Sequence, residues 1–484
     1  MRFAALLAAI WFAGAGIAAA QSPLIDAVKA NDVTAVRALL DKRADVNTVQ
    51  PDGTTALHWA VEQDAVEIVP LLIRAGANVK ATNRYGATPL WLASLNGNAT
   101  TIEMLLEAGA DPSAASDEGE TALMVAARTG KIEAVNRLLA RGADPNVKEQ
   151  WRGQTALMWA AVEGHAPVID ALVARGADVK ARSNGGFTAI LFAAREGQIA
   201  AVDALIKAGA DMNDWLPIRR RQPQNASAPV PPDMGPNVFL LAAANAYYEL
   251  AAWLLDRGAD PNAAPQGFTA LHQVSWVRKA GIAGSNNPAP QGSGTMDSLS
   301  FVRKLVAKGA TLDGRATKKP NMGVTTLNSI GATPFLLAAR TADAPLMKLL
   351  AELGANPLLT NEDGSTPLMV AAGLGTNAPG EDPGTEPEVL DAVKVALGLG
   401  NDPNAVDKNG ETAMHGAAYK HVPTVVQYLA DKGARADVWN RPNSKGWTPL
   451  KIAEGIQRGM NIVSSPDTAT ALRQILATRT PAAQ

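Results

Sequence analysis

Apolar and polar positions along the chain recur in one phrase that repeats about every 33 residues. A glycine opens each phrase and a threonine follows two residues later, with Asn237 in its place once. The glycines stand at positions 53, 86, 119, 153, 186, 235, 267, 331, 364, 410 and 446. Threonine and asparagine are common N-caps, and the proline or alanine that follows most of them suits the first helical position. The phrase therefore predicts that a helix begins at each copy.

A second apolar group follows about 20 residues after each opening glycine. It is a pair of large aliphatic residues, such as Leu72 and Ile73 or Leu138 and Leu139. A Gly-Ala-Asp turn or a close variant ends the unit, as at 109–111. Each unit is thus predicted to contain two helices, and a finger-like loop leads to the next unit.

This arrangement resembles the ankyrin repeat, whose signature is T-P-L-H-x-A-A. The corresponding phrases are TALHWAV from Thr55, TPLWLAS from Thr88, TALMVAA from Thr121, TALMWAA from Thr155 and TAILFAA from Thr188. The resemblance implies an all-α solenoid of stacked helix-turn-helix units with β-hairpin fingers. Residues 21–480 divide into about twelve expected repeats: 22–52, 53–85, 86–118, 119–152, 153–185, 186–234, 235–266, 267–330, 331–363, 364–409, 410–445 and 446–478.

Three regions break the period. The steps from Gly186 to Gly235, from Gly267 to Gly331 and from Gly364 to Gly410 are all much longer than 33 residues. The surplus residues are 215–234, 281–297 together with a long finger at 314–330, and 373–387. The first is too rich in proline for a helix or a central strand, so it is expected to be extended and partly polyproline. Loops this long in a compact fold are usually functional or disordered.

The N-terminal segment, residues 1–20, has the pattern of a secretory signal peptide. Arg2 precedes an apolar run that ends in small residues, with Ala18 and Ala20 before Gln21. We expect cleavage after Ala20 and a periplasmic or secreted mature chain. The alternative is an uncleaved membrane anchor, because the run is close to the minimum length for a spanning helix.

Composition removes several classes of function. The chain has 44 Lys+Arg against 46 Asp+Glu, a net charge of -2, so no overall positive field favours nucleic acid. It contains no cysteine, which excludes disulfides, thiolate metal sites and cysteine nucleophiles. We therefore expect no cofactor, no metal and no nucleic-acid partner.

The five histidines are predicted to be structural. His58, His272 and His415 occupy the fourth position of the T-x-x-H phrase, where the resemblance implies that histidine supports loop hydrogen bonds. His165 and His421 stand at the turn between the two helices of their repeats. No common metalloprotease, serine-hydrolase or phosphate-loop motif occurs. The sequence therefore favours a protein that is not an enzyme, although a site built from paired carboxylates stays open.

The position after the histidine slot carries the main candidate site, because in this fold it tends to face the concave groove. In the second to sixth repeats it is occupied by Trp59, Leu92, Val125, Trp159 and Phe192. A row of apolar side chains on that face predicts an exposed patch that binds a protein partner. The alternative is that an insertion, most simply the loop at 215–234, folds over these side chains within the same chain.

A basic run in the first insertion is a further candidate. Arg219, Arg220 and Arg221 follow Trp215 closely, and together they are suited to an acidic partner. The alternative is that the three arginines belong to an ordinary solvated loop.

These observations favour a non-catalytic, exported scaffold that binds another protein of unknown identity. A second hypothesis is a regulatory or protective subunit of an exported enzyme, for example in oxidative-stress defence. A hydrolase assembled by the insertions and a purely structural spacer are the remaining alternatives.

Overall fold

The structure is a computed structural model that describes residues 22–218, 233–279, 292, 294–319, 325–458 and 461–479. The chain divides into two compact units. Unit 1 consists of Met1–Ala189 and Asp203–Gly209, and unit 2 consists of Ile190–Val202 and Ala210–Gln484. The expected signal peptide therefore lies outside the described residues. No helix in the described ranges is long and apolar enough to cross a membrane.

Unit 1 is built from short helices that come in pairs. They are α1 (Pro23–Lys29), α2 (Val33–Asp41), α3 (Ala56–Glu62), α4 (Val69–Arg74), α5 (Pro89–Asn96), α6 (Ala99–Glu107), α7 (Ala122–Thr129), α8 (Ile132–Ala140), α9 (Ala156–Glu163) and α10 (Ala166–Ala174). The next pair, α11 (Ala189–Arg195) and α12 (Ile199–Lys207), has residues in both units.

Unit 2 continues with helix pairs and adds two small ribbons. Its elements are β1 (Trp215–Ile218), β2 (Asp233–Asn237), α13 (Val238–Ala244), α14 (Tyr248–Asp256), α15 (Ala270–Arg278), α16 (Ser298–Ala307), α17 (Pro334–Arg340), α18 (Ala344–Glu352), α19 (Pro367–Ala371), α20 (Glu386–Gly398), α21 (Ala413–Lys420), α22 (Pro423–Asp431), α23 (Ala436–Trp439), α24 (Pro449–Glu454), β3 (Ile456–Arg458), β4 (Asn461–Val463) and α25 (Pro466–Arg479). The all-α repeat architecture expected from the sequence is confirmed.

The predicted caps explain where the first helix of each pair begins. The Thr88 hydroxyl accepts a hydrogen bond from the Trp91 backbone N–H at 3.1 Å, and Pro89 occupies the first helical position. Asn237, the one exception to threonine, caps α13 in the same way through the Leu240 N–H. Each such bond satisfies one of the N–H groups that a helix start leaves without a partner.

The fingers connect neighbouring repeats through the backbone. In unit 1 the Arg84 N–H donates to the Asp52 carbonyl at 2.8 Å, one finger to the next. Gly86 has a φ of 70°, in the left-handed region that favours glycine. A β-carbon there would also lie 2.5 Å from the Asp117 backbone nitrogen in the following finger. The opening glycine is therefore needed both for the turn and for the approach of the next repeat.

Burial between the first helices of neighbouring pairs forms the core of each unit. In unit 1, α3, α5, α7 and α9 each contact the next in this order. The paired alanines of α7 and α9 (Ala126, Ala127, Ala160 and Ala161) are fully buried at these contacts. Small side chains let the helices approach closely, and a larger residue would overpack them.

The proline-rich first insertion begins and ends as a two-stranded ribbon. β1 pairs antiparallel with β2, and Trp215 lies opposite Asn237. Both strands contain proline, which a two-stranded ribbon tolerates because both of its strands are edges. Residues 219–232, including Arg219, Arg220 and Arg221, lie outside the described residues.

The insertion of the tenth repeat packs against α17 and α21, the first helices of two helix pairs in unit 2. We call residues 373–385, between α19 and α20, the covering segment. Asp382 in this segment pairs with Arg340 of α17 at 2.7 Å, and both side chains are buried. The Lys420 ammonium of α21 donates to the Asp382 and Pro383 carbonyls at 2.8 and 2.9 Å. Burial lowers the pKa of Lys420 to about 8.

A buried carboxyl group lies at the start of α21. Glu411 is 8% exposed, and its Oε1 accepts hydrogen bonds from the Asn443 amide at 2.8 Å and the Tyr419 hydroxyl at 3.1 Å. Its Oε2 has no hydrogen-bond partner within the described part of the chain. Burial is the main cause that raises the pKa of Glu411 to about 7, and the nearby Asp407 charge adds to it while Lys445 opposes it.

This raised pKa predicts a pH-dependent loss of stability. The folded state holds the Glu411 proton up to about pH 7, whereas the unfolded chain releases it near 4.5. Stability therefore falls as the pH rises through this window, by at most about 3 kcal/mol at roughly 1.4 kcal/mol per pKa unit. Glu411→Gln removes this contribution, so the variant should gain stability relative to the wild type between pH 5 and pH 8.

Urea unfolding of both proteins at pH 5 and pH 8 measures the effect. Glu133→Gln, at an exposed glutamate of α8, is the control. An equal difference between wild type and Glu411→Gln at both pH values would contradict the prediction.

Candidate partner-binding surface

The apolar row expected on the groove is only partly exposed. In unit 1, Trp59 and Leu92 are half-buried, Val125 is fully buried and Trp159 is 8% exposed. In unit 2, Phe192 is 4% exposed. The expectation of a continuous exposed patch is therefore wrong for Val125, Trp159 and Phe192.

Cationic side chains cover the aromatic members of the row. In unit 1 the Lys29 ammonium lies 4.2 Å from the Trp59 ring centroid, and the Arg128 guanidinium lies 4.7 Å from that of Trp159. Both cations stand seven residues after the cap of the preceding repeat, on the helix next to the ring. Such cation–π contacts contribute about 0.5–1 kcal/mol at exposed sites.

In unit 2 the cover comes from the same helix. The Arg195 guanidinium lies 5.0 Å from the Phe192 ring centroid, and both residues belong to α11. The signal was present in the sequence, since a basic residue stands seven positions after Ser22, Thr121 and Thr188. This signal can be interpreted only once the direction of each basic side chain is known.

The two covered tryptophans of unit 1 differ in the hydrogen bond of the indole. Trp59 Nε1 donates to the Gln50 side-chain oxygen at 2.9 Å. Trp159 Nε1 is buried and has no acceptor among the described residues. The two positions are equivalent in sequence but not in hydrogen bonding.

The most exposed aromatic residues of unit 1 lie at its finger tips, which the groove-based analysis missed. Tyr85 is 64% exposed and Trp151 is 76% exposed. An arginine stacks on each ring: Arg84 lies 4.8 Å from the Tyr85 centroid and Arg152 lies 5.3 Å from that of Trp151. The available signal was their place in the loop just before an opening glycine, where side chains leave the core.

The finger that carries Trp151 is held by a single carboxylate. Glu149 is buried and accepts hydrogen bonds from the backbone N–H groups of Trp151, Arg152 and Gln154 at 2.7–2.9 Å. Charge-assisted hydrogen bonds of this kind are stronger than neutral ones. The finger backbone is thus fixed while its tryptophan remains exposed.

The corresponding face of unit 2 is covered by its own chain. Leu337 of α17 and Val370 of α19, at the row position, are buried in a cluster with Leu327 of the long finger. The row position of α21 is Gly416, where a β-carbon would lie 2.8 Å from the backbone nitrogen of Leu374 in the covering segment. Insertions thus cover row positions in unit 2, through the long finger and the covering segment. The alternative that the loop at 215–234 covers the row from Trp59 to Phe192 stays untested, because residues 219–232 lie outside the described residues.

The remaining candidate of the sequence analysis, Trp215, is half-buried in β1. Arginines 219–221 cannot be placed beside it, because they lie outside the described residues.

The histidines of the repeated phrase are engaged in structural hydrogen bonds. The His58 ring contacts Thr55 through Nδ1 at 2.8 Å and the Ala87 carbonyl of the next repeat through Nε2 at 3.1 Å. His272 and His415 make the equivalent bonds in unit 2. Burial lowers the pKa of His58, and lowers that of His272 and His415 to about 4. These rings are therefore neutral near pH 7 and join one repeat to the next.

Burial of the Trp159 ring predicts a structural cost. Trp159→Ala should lower the free energy of unfolding by about 3–5 kcal/mol, because it removes a large buried side chain and leaves a cavity. Trp151→Ala, at an exposed tryptophan in the finger just before that repeat, should change it by less than about 0.5 kcal/mol. Urea unfolding of both variants tests the contrast, and similar values for the two would contradict it.

Comparison with known proteins agrees with the repeated architecture. The family model described as Ankyrin repeats (3 copies) matches residues 24–116, 66–149, 123–214 and 387–463, together more than half of the chain. The chain is also similar to the E3 ubiquitin-protein ligase KEG of Arabidopsis thaliana, with 28% identity over 182 residues. That match covers 29% of this chain and 11% of the ligase, so the chain spans about a tenth of the relative's length. By its family match, its capped helix pairs and its finger contacts, the chain belongs to the ankyrin repeat family.

Proposed function

We propose that the protein is a non-catalytic scaffold that acts outside the cytoplasm and binds a protein partner through the groove and fingers of unit 1. Ankyrin repeats are protein–protein interaction modules, which supports a protein as the partner. The match to the ubiquitin ligase is confined to a small part of that enzyme. Ubiquitin transfer is therefore not part of the proposal.

The observation that carries the proposal is the pair of exposed aromatic finger tips. Tyr85 and Trp151 keep most of their surface in water although each ring carries a large apolar area. Tryptophan, tyrosine and arginine are the residues most enriched among those that dominate binding energy at interfaces. Because Glu149 fixes the Trp151 finger, little conformational freedom is lost when a partner docks.

Unit 1 is the better candidate because, among the described residues, a single cationic side chain lies over each tryptophan of its row. Trp59 and Leu92 remain half-buried, and the cover over Trp59 is one flexible lysine. In unit 2 the equivalent positions lie under backbone segments held by a buried ion pair. A partner needs to displace far less structure to reach the row of unit 1.

The proposed scaffold has about twelve repeats and includes the basic run that was expected to contact a partner. The repeat boundaries are those expected from the sequence, from 22–52 to 446–478. Trp215 and arginines 219–221 remain candidates for contact with an acidic part of the partner.

A fragment library made from the genome of the source organism and displayed on phage tests the binding function. We expect selection on the wild-type chain to enrich fragments of one or a few proteins. The double variant Tyr85→Ala, Trp151→Ala should weaken their binding at least tenfold, because truncation of such anchors costs about 2 kcal/mol or more. The melting temperature should stay nearly unchanged, since both rings are exposed.

Val406→Ala, at an exposed valine of unit 2, is the matched control and should bind normally. If no fragment is enriched, or if the double variant binds as well as the wild type, the proposed surface is wrong.

Export is tested by the N-terminus of the protein in its native host. We expect mass spectrometry of the extracytoplasmic fraction to find a chain that begins at Gln21, because the small residues before it fit a signal-peptidase site. Replacement of Ala18 and Ala20 by arginine should leave an uncleaved precursor. A cytoplasmic chain that retains Met1 would contradict export.

A further inference from the structure

The Arg128–Trp159 pair has two sets of hydrogen-bond donors without acceptors. The Trp159 side chain is more than nine-tenths buried, and its Nε1 lacks an acceptor within the described part of the chain. A buried N–H without an acceptor costs about 1–3 kcal/mol. Most buried polar atoms in proteins have a hydrogen-bond partner. The Trp159 indole N–H is an unfavourable exception that this structure tolerates.

The equivalent tryptophan shows how such a group is normally satisfied. Gln50 stands nine residues before Trp59 and accepts its indole proton. Gln150 stands nine residues before Trp159, but its side chain is exposed and lies beside Gly119 of the previous finger. The residue type is present, yet no hydrogen bond joins the Gln150 side chain to the Trp159 indole.

The guanidinium above the Trp159 ring is also available. Arg128 is exposed, and within the described ranges its guanidinium makes neither a hydrogen bond nor an ion pair at salt-bridge distance. Neither of the nearby carboxylates, Glu149 and Glu120, pairs with the Arg128 guanidinium at salt-bridge distance in the described ranges. Glu149 accepts three backbone N–H groups, and burial raises the pKa of Glu120 against the opposing effect of Arg128.

We propose that Arg128 and Trp159 form an anchor for one carboxylate of the partner, the side chain of an aspartate or a glutamate. The guanidinium supplies a planar pair of N–H donors that matches a carboxylate, and the indole supplies a third donor beside it. The anchor requires that the Arg128 side chain move off the ring face, so that the carboxylate bound to it also reaches the buried Nε1. This inference rests on the proposed function and specifies the chemistry of the partner at one point.

The Lys29–Trp59 pair does not form a second anchor of this kind. Its indole proton already has the Gln50 acceptor, and its cation is a lysine without the planar donor pair. This difference supplies an internal control in the same unit of the same protein.

Nuclear magnetic resonance of the tryptophan side chains tests the anchor directly. The full chain is labelled with ¹⁵N, and the indole signals are assigned with single Trp→Phe variants. The probe is N-acetylglutamate N-methylamide, and the matched probe is the corresponding glutamine compound. The glutamate probe should shift the Trp159 indole proton downfield with saturation and bind at least tenfold more tightly than the glutamine probe, while the Trp59 signal stays in place.

Two variants complete the test. Arg128→Gln should abolish the saturable shift while its melting temperature stays within a few degrees of the wild type, and Lys29→Gln should retain the shift. Equal binding of both probes, an equal response of Trp59, or a shift that survives in Arg128→Gln would overturn the anchor.

The anchor and the proposed function fail in distinguishable ways. If selected fragments bind the finger tips but Asp→Asn and Glu→Gln changes in those fragments do not weaken binding, the anchor is wrong and the scaffold function stands. If no fragment is selected, the scaffold function is wrong whatever the probes do. Support for both requires one acidic residue in a selected fragment whose change to the amide lowers the affinity of that fragment for the wild-type chain at least tenfold. The same change should not lower its affinity for the Arg128→Gln variant.

Discussion

The helices of this protein are too short to be stable alone, and this constraint governs the rest of the structure. Most of the first helices of the pairs contain seven or eight residues, whereas isolated helices in water are marginal below about 12–15 residues. Each helix therefore persists only because a neighbour buries its apolar face. Caps and finger contacts then set where each helix starts and how closely the next one approaches.

Burial varies along the row that was expected to face the groove. In unit 1 it ranges from the fully buried Val125 to the half-buried Trp59 and Leu92. In unit 1 Trp159, under Arg128, is 8% exposed, whereas Trp59, under Lys29, is half-buried.

Local features were therefore predictable from sequence, and long-range coverage was not. The cap at Thr88, the proline that follows it and the start of the last helix at Pro466 follow from short-range chemistry. The contacts of the Phe192 and Trp159 rings with arginines depend on side-chain directions that no periodicity specifies. The position of the covering segment could not be predicted, because a single sequence does not show that Arg340 and Asp382, 42 residues apart, form an ion pair.

The covering segment also changes how the array can vary in length. Repeat arrays commonly gain or lose single units, because each unit contacts only its neighbours. Here Arg340 belongs to one repeat, Asp382 to the next and Lys420 to the one after that. Loss of the middle repeat would leave two buried cations without their acceptors, an unfavourable outcome for charged groups. In this part of the chain the tenth repeat is therefore harder to lose alone than a repeat whose neighbours share only apolar contacts with it.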